Sequence, residues 1–295
     1  MEKAIHSGRS KASALGKKGA GRSAYVMKPE SLALVENFRL MDDTFMSKCL
    51  ENAPECIELI LRVIIGKKDL KVIKSQTEYP IKSLQGRGVR FDVFARDSKG
   101  REYDIEIQRA DKGAEPKRAR YNSALMDANA LKSGEDFGKL RDTYVIIITE
   151  NDVMGRGQGV YVFDRMDKKC GLDFGDGAHV VYANGMWRGD DALGRLMCDF
   201  NCRDANKMHY DVLKKRVSQL KDSEEGRRIM CKAVEEFAER RAAEAKAEGK
   251  REGKREGMLA SAKRMLESGM LALKDIAKFS GLSLVQVKKL QAEMA

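Results

Sequence analysis

Histidine is scarce in this chain, with only His6, His179 and His209 dispersed over 295 residues. Six cysteines (Cys49, Cys56, Cys170, Cys198, Cys202 and Cys231) are scattered, and no CxxC pair occurs. Such spacing excludes a disulfide framework and suits a reducing compartment. Cys198 and Cys202 could share a helix face, but without a histidine partner in sequence they do not make a structural zinc motif. Cys/His and Ser/His/Asp catalysis likewise have no visible support, and His179 reads as a strand residue. Long apolar runs are also missing. The longest, IELILRVIIG at 57–66 and YVIIIT at 144–149, are too short to span a bilayer and read as core elements. No apolar segment follows the basic N-terminal residues, so a secretory signal is not expected. The expectation is a soluble cytoplasmic protein without a membrane partner.

What is present is charge. Lys and Arg number 56 against 45 Asp and Glu, giving +11 and a pI near 9.3. That balance favours salt-sensitive association with a polyanion such as nucleic acid. Part of it lies in residues 1–28, where Lys and Arg stand among Gly, Ser and Ala, a composition expected to be a disordered tail.

The segment RFDVFARDSKGREYDIEIQR at 90–109 reads as a β-hairpin. Phe91 and Val93 alternate with Arg90 and Asp92, and Asp97-Ser98-Lys99-Gly100 supplies the turn. On the return strand Tyr103, Ile105 and Ile107 form an apolar face, and Asp104, Glu106 and Gln108 share the other. Asp92 and Glu106 on neighbouring strands repel unless a cation lies between them. Mg²⁺, which prefers carboxylates, carbonyls and water, suits that place, with Mn²⁺ as an alternative and the Ile107 carbonyl as a third ligand. Gln108 would then orient an attacking water. Alternation of this kind is equally that of a plain hairpin with one wet face.

Asp92 followed by Glu106-x-Gln108 resembles the PD-(D/E)XK nucleases, and in particular the transposase-like branch of recombination-promoting nuclease (Rpn) proteins. Arg118-x-x-Tyr121, a helical stretch ending LKSGEDFGKL, and TYVIIIT at 143–149 look like segments of that family. So do YVFDR at 161–165, FGDGAHVVYANG at 174–185 and LMCDFNCRDANKMHY at 196–210. The likeness covers roughly residues 40–225. It implies an α/β, restriction-endonuclease-like core, a mixed and mainly four-stranded sheet flanked by helices, with the metal carboxylates on central strands. It also implies that Asp92, Glu106 and Gln108 carry Mg²⁺-dependent hydrolysis of DNA in recombination or a related process. Gln108 stands where the wider superfamily has lysine, as is usual in this branch. An amide can bind water but cannot supply positive charge to a developing oxyanion, so slow or conditional cleavage follows.

Arg90 and Arg109 adjoin the motif as compensating charges or as plain surface arginines. Asp43, in a helix start that also carries Phe45, is either a further ligand or a helix N-terminal charge. Arg118 and Tyr121, three apart on a helix, would hold phosphate and sugar, or else be a surface arginine beside a half-buried tyrosine.

The domain reading is a basic tail at 1–28, a nuclease-like domain at 29–222, a charged helical linker at 223–257 and a helical module at 258–295. In the linker, Gly249, Gly253 and Gly257 recur every four residues, which suggests a hinge, a close helix pairing or a solvated linker. In the module, Met265, Leu266, Ile276, Ala277, Leu282, Val285 and Leu290 are expected core positions. Gly281 ends one helix, and Ser283 with Gln286 caps the next as a capping box. This is helix-turn-helix-like, with Lys288 and Lys289 facing DNA if it binds there. Two alternatives to the nuclease remain from the sequence. One is a DNA-binding protein of the same fold with negligible cleavage; the other is an interaction protein that homo-oligomerises through the C-terminal helices.

Overall fold

The computed structural model describes residues 26–82, 88–109 and 113–294. The expected disordered tail therefore falls almost wholly outside the described residues. The chain begins with α1 (Pro29–Asn37), α2 (Asp43–Leu50) and α3 (Pro54–Ile65), followed by β1 (Val72–Ile81), β2 (Val89–Asp97) and β3 (Glu102–Gln108). Next come α4 (Pro116–Ala130), β4 (Thr143–Thr149), β5 (Val160–Phe163) and β6 (Ala178–Asn184). The chain closes with α5 (Ala192–Asn201), α6 (Asp211–Lys221), α7 (Glu224–Ser268), α8 (Leu273–Ser280) and α9 (Leu284–Met294).

The strands form one mixed sheet in the order β1-β2-β3-β4-β6-β5. It has six strands rather than the four expected, because Val160–Phe163 adds an antiparallel edge to β6 and β1 an antiparallel edge to β2. β3, β4 and β6 run parallel. Parallel strands are covered on both faces, and β4 shows it, since Tyr144, Ile146 and Ile148 enter one apolar cluster and Val145 and Ile147 the other. The larger cluster gathers α2, α3, α5 and α6 on one face of the sheet; α4 covers the other with Ala119, Leu125 and Met126. Helix α3 follows from local sequence, with Pro54 in its first turn, Cys56, Ile57, Ile60, Leu61 and Ile64 on one buried stripe, and Gly66 closing it at φ +74°.

The 90–109 hairpin forms with its turn where expected. Asp97 anchors it, accepting from Arg101 Nε at 2.6 Å and from Tyr103 Oη at 2.9 Å. One part of the reading fails. Phe91 and Val93 do not share a face: Phe91 packs on the α4 side with Phe94, and Val93 on the other side with Ala95. The alternation slips at Asp92, opposite Glu78 of β1, which takes a left-handed φ of +49°. A left-handed residue of this kind distorts the strand locally and re-aims the side chain opposite it. A second difference is that α4 ends at Ala130, so LKSGEDFGKL is a loop with a short 3-10 turn at Phe137–Lys139 rather than helix.

Helix α7 runs unbroken for 45 residues, about 70 Å at 1.5 Å per residue. The boundaries drawn at 222/223 and 257/258 meet it differently. Ser223 caps its start, accepting from Gly226 N at 2.9 Å, whereas residue 257 lies in mid-helix. Its first turns belong to the main core through Met230 and Cys231. Gly249, Gly253 and Gly257 are helical, and a Cβ on any of them would meet nothing within 4 Å, so they seat no described neighbour. At the far end α8 and α9 fold back on α7 around Ala262, Ile276, Leu282, Val287 and Leu290. Val285, expected in that core, is 77% exposed, and Val287 takes the inward position. Gly281 has φ +75°, and Ser283 N and Gln286 Oε1 are 2.8 Å apart, as the capping box requires. Among the described residues, no helix is long and apolar enough to cross a membrane.

Candidate active site

Backbone direction decides what meets at β3. Glu102 donates its N–H to Asp142, and the Gln108 carbonyl accepts from Glu150, so the even residues of β3 turn their backbone toward β4. The odd residues turn theirs toward β2. The β2–β3 ladder ends at the Val93–Ile105 pair. Beyond it the Asp92 carboxylate, rather than a backbone carbonyl, receives the Ile107 N–H at 3.0 Å. Asp92, Ile107 and Glu106 thus converge where the two strands part.

The side chains of Asp104 and Glu106 are 0% and 1% exposed, facing α4. Residues two apart on a strand and four apart on a helix advance by similar distances. Arg118 and Asn122 of α4 accordingly meet Glu106 and Asp104. The Arg118 guanidinium pairs with Glu106 Oε2, and Asn122 Nδ2 donates to Asp104 Oδ2 at 2.8 Å. Glu106 Oε1 and Asp104 Oδ1 are buried without a hydrogen-bond partner. The Gln108 amide reaches Glu106 Oε2 at 3.4 Å. A Cβ on Gly113 would overlap the Gln108 amide oxygen, so a glycine there leaves room for this side chain.

Burial is the largest cause that raises the Asp92 carboxyl, to about 8, and the Glu106 charge adds to it. Burial also lifts Asp104, again helped by Glu106, and lifts Glu106 itself against the opposing pull of Arg118. Asp43, at the start of α2, is raised by burial and by Asp42, and its charge is felt at Asp92. Groups of this kind gather where function demands them. Among the described residues, no set of three or more His, Cys, Asp or Glu is arranged as a ready metal cluster. The oxygen donors of Asp92 and Glu106, with one Glu106 oxygen unpartnered, nonetheless have the chemistry of a hard divalent cation's ligands.

The other expected residues scatter. Arg90 lies 3.8 Å from Glu78 and lines the groove that holds Asp92. Arg118 is exposed but pairs with the buried Glu106, so a phosphate would have to compete with or share that pair. Tyr121 is 38% exposed on α4, and Asn122 shares Arg118's inward face in its stead. Arg109 is tied to Asp42 at 2.7 Å and to Glu150 at 3.3 Å, and is not free to replace a lysine at Gln108. Lys288 and Lys289 lie on α9, which packs on α7 and α8; the structure does not bring them to the carboxylates. Sequence reasoning missed Asn122 and Asp104 as partners, although the i, i+4 spacing from Arg118 was there to find. It also missed α7, whose Phe237 and Arg240 line grooves at the site.

A mixed sheet flanked by helices, with acidic side chains converging where β2 and β3 part, is consistent with a PD-(D/E)XK nuclease-like fold. Residues 51–183 match the family model of the PD-(D/E)XK nuclease family transposase. The match takes in Asp92, Glu106, Gln108 and Arg118 and stops in β6, short of the 225 expected. No curated protein and no solved structure matches the chain.

Proposed function

We propose that the protein is a Mg²⁺-dependent DNA endonuclease of the transposase-like, recombination-promoting kind, cleaving phosphodiester bonds at Asp92 and Glu106. The observation that carries this reading is the buried Glu106 with one unpartnered oxygen beside an Asp92 of raised pKa, both within the nuclease-family segment. Asp92, Glu106 and the Ile107 carbonyl would hold Mg²⁺ or Mn²⁺, which supplies polarisation of the phosphate and charge neutralisation. Asp92 is fixed for this by the Ile107 N–H. Gln108 offers an amide that orients water, in space that the absence of a side chain at Gly113 leaves open. Arg118 balances Glu106 until substrate arrives, when its guanidinium is within reach of a phosphate.

Two observations favour a second reading, a DNA-binding protein of negligible cleavage. Arg118 already neutralises Glu106, and position 108 lacks a cationic side chain. Supercoiled plasmid incubated at low salt with Mg²⁺ or EDTA separates the two. Nicking that needs the metal and disappears in Asp92→Ala and Glu106→Ala supports the nuclease; retained salt-sensitive DNA binding without product supports the binder. DNA contact by α8–α9 and self-association through them are further proposals, resting on the glycine turn and capping box alone.

A further inference from the structure

Helix α7 lies beyond the family match, yet its early turns border the candidate site. Met230, Cys231 and Ala233 face inward. One turn on, Phe237 lines two grooves. The first, about 200 Å³, holds Asp43, Glu78, Arg90, Asp92 and Arg240. The second, about 340 Å³, holds Asp43, Ile107, Gln108 and Arg109. Phe237 therefore stands between approaches to the two sides of the carboxylates.

Its ring carries guanidinium groups. The Arg240 and Arg241 carbons lie 5.5 and 5.8 Å from the ring centroid. Arg240 Nη1 is 3.4 Å from Glu78 Oε1, and Arg90 Nη1 is 3.8 Å from the same oxygen. Glu78 is the residue with left-handed φ opposite Asp92. The groove thus has acidic groups around Asp92 and Asp43, and on the α7 side the Phe237 ring and Arg240 beside Glu236, with Arg240 paired to Glu78. A phosphate next to Phe237 would compete with Glu78 for Arg240.

Resting on the nuclease reading, we infer that Phe237 stacks on an unpaired base beside the cleaved phosphate, while Arg240 and Arg241 hold the adjoining backbone. The preferred substrate is then single-stranded or locally unpaired DNA. An aromatic ring with arginines beside it binds any base face and the neighbouring phosphate, but only where that face is not covered by duplex stacking.

Fluorescence anisotropy in EDTA, where cleavage does not intervene, tests this with a labelled oligothymidine and a duplex of equal length. The full-length protein is compared with Phe237→Ala, Phe237→Tyr and Arg241→Gln. The expected result is tighter binding of the single strand. Phe237→Ala should weaken that binding at least about fivefold, Phe237→Tyr should retain it, and the duplex should change by less than about twofold. Arg241→Gln, at an exposed position, should weaken the single strand and flatten its salt dependence. If Phe237→Ala fails to fold, Phe237→Tyr and Arg241→Gln decide, and a wild-type level in Arg241→Gln overturns the inference. So do a wild-type preference for duplex, no wild-type binding, or equal losses on both probes. Metal-dependent nicking without single-strand preference would sink this inference and spare the nuclease. A Phe237-dependent single-strand preference in a protein that never nicks would do the reverse.

Discussion

At the scale of residues, Glu106 is almost fully buried between a cation, Arg118, and two carboxyls, Asp92 and Asp104. A buried carboxylate without compensation is costly, and Arg118 compensates only one oxygen. The reach of Gln108 depends on a neighbour that has no side chain. Gly113→Ala should displace the Gln108 amide and slow nicking by about 10- to 100-fold, with little change in the unfolding midpoint. Gln108→Ala should lose as much, and the double variant no more than either. Additive losses in nicking rates would show that Gly113 acts elsewhere. Glu106 and Gln108 were legible as neighbours because strand alternation puts them on one face; only the motif drew Asp92 to them, since the alternation of β2 slips at that residue. Arg118's partner was not legible, since pairing it with Tyr121 used spacing along the helix without knowing which face meets the sheet.

At the scale of elements, the hairpin depends on Asp97, fully buried and in contact with Arg101 and Tyr103. Burial opposes its charge, but the hydrogen bonds from Tyr103 and Arg101 outweigh it and hold the carboxyl below its ordinary value of 3.8. The folded state therefore binds fewer protons here than the unfolded state as the pH nears 3.8. The stability due to Asp97 is present above that pH and lost as pH falls through the lower folded value. Asp97→Ala should cost about 3 kcal/mol at neutral pH, and the gap to wild type should narrow below pH 3.8, as urea unfolding at both conditions would measure. A pH-independent gap would remove the charge from the explanation. The hairpin was readable because its turn and both strands lie within twenty residues. Val285 was misplaced for the opposite reason: in short helices joined by a tight turn, periodicity leaves the inward face open by a position or two.

At the scale of the molecule, α7 is both core and extension. A chain ending before Glu224 loses Met230 and Cys231 from the main cluster and should melt about 10 °C lower. One ending at Ala245 should keep the wild-type midpoint. Equal melting of both would show that α7 only rests on the core. The composition change near 223 marked a real helix start. It hid the helix's inward turns, because charged residues outnumber the few apolar ones that pack.

The central claim is cation-dependent cleavage at Asp92 and Glu106, and the nicking rate of supercoiled DNA against Mg²⁺ concentration tests it most directly, in wild type, Asp92→Asn and Glu106→Gln. The account predicts a saturating, EDTA-sensitive rate in wild type and none above background in either variant. EDTA-resistant nicking, or variants that cleave like wild type, would contradict it.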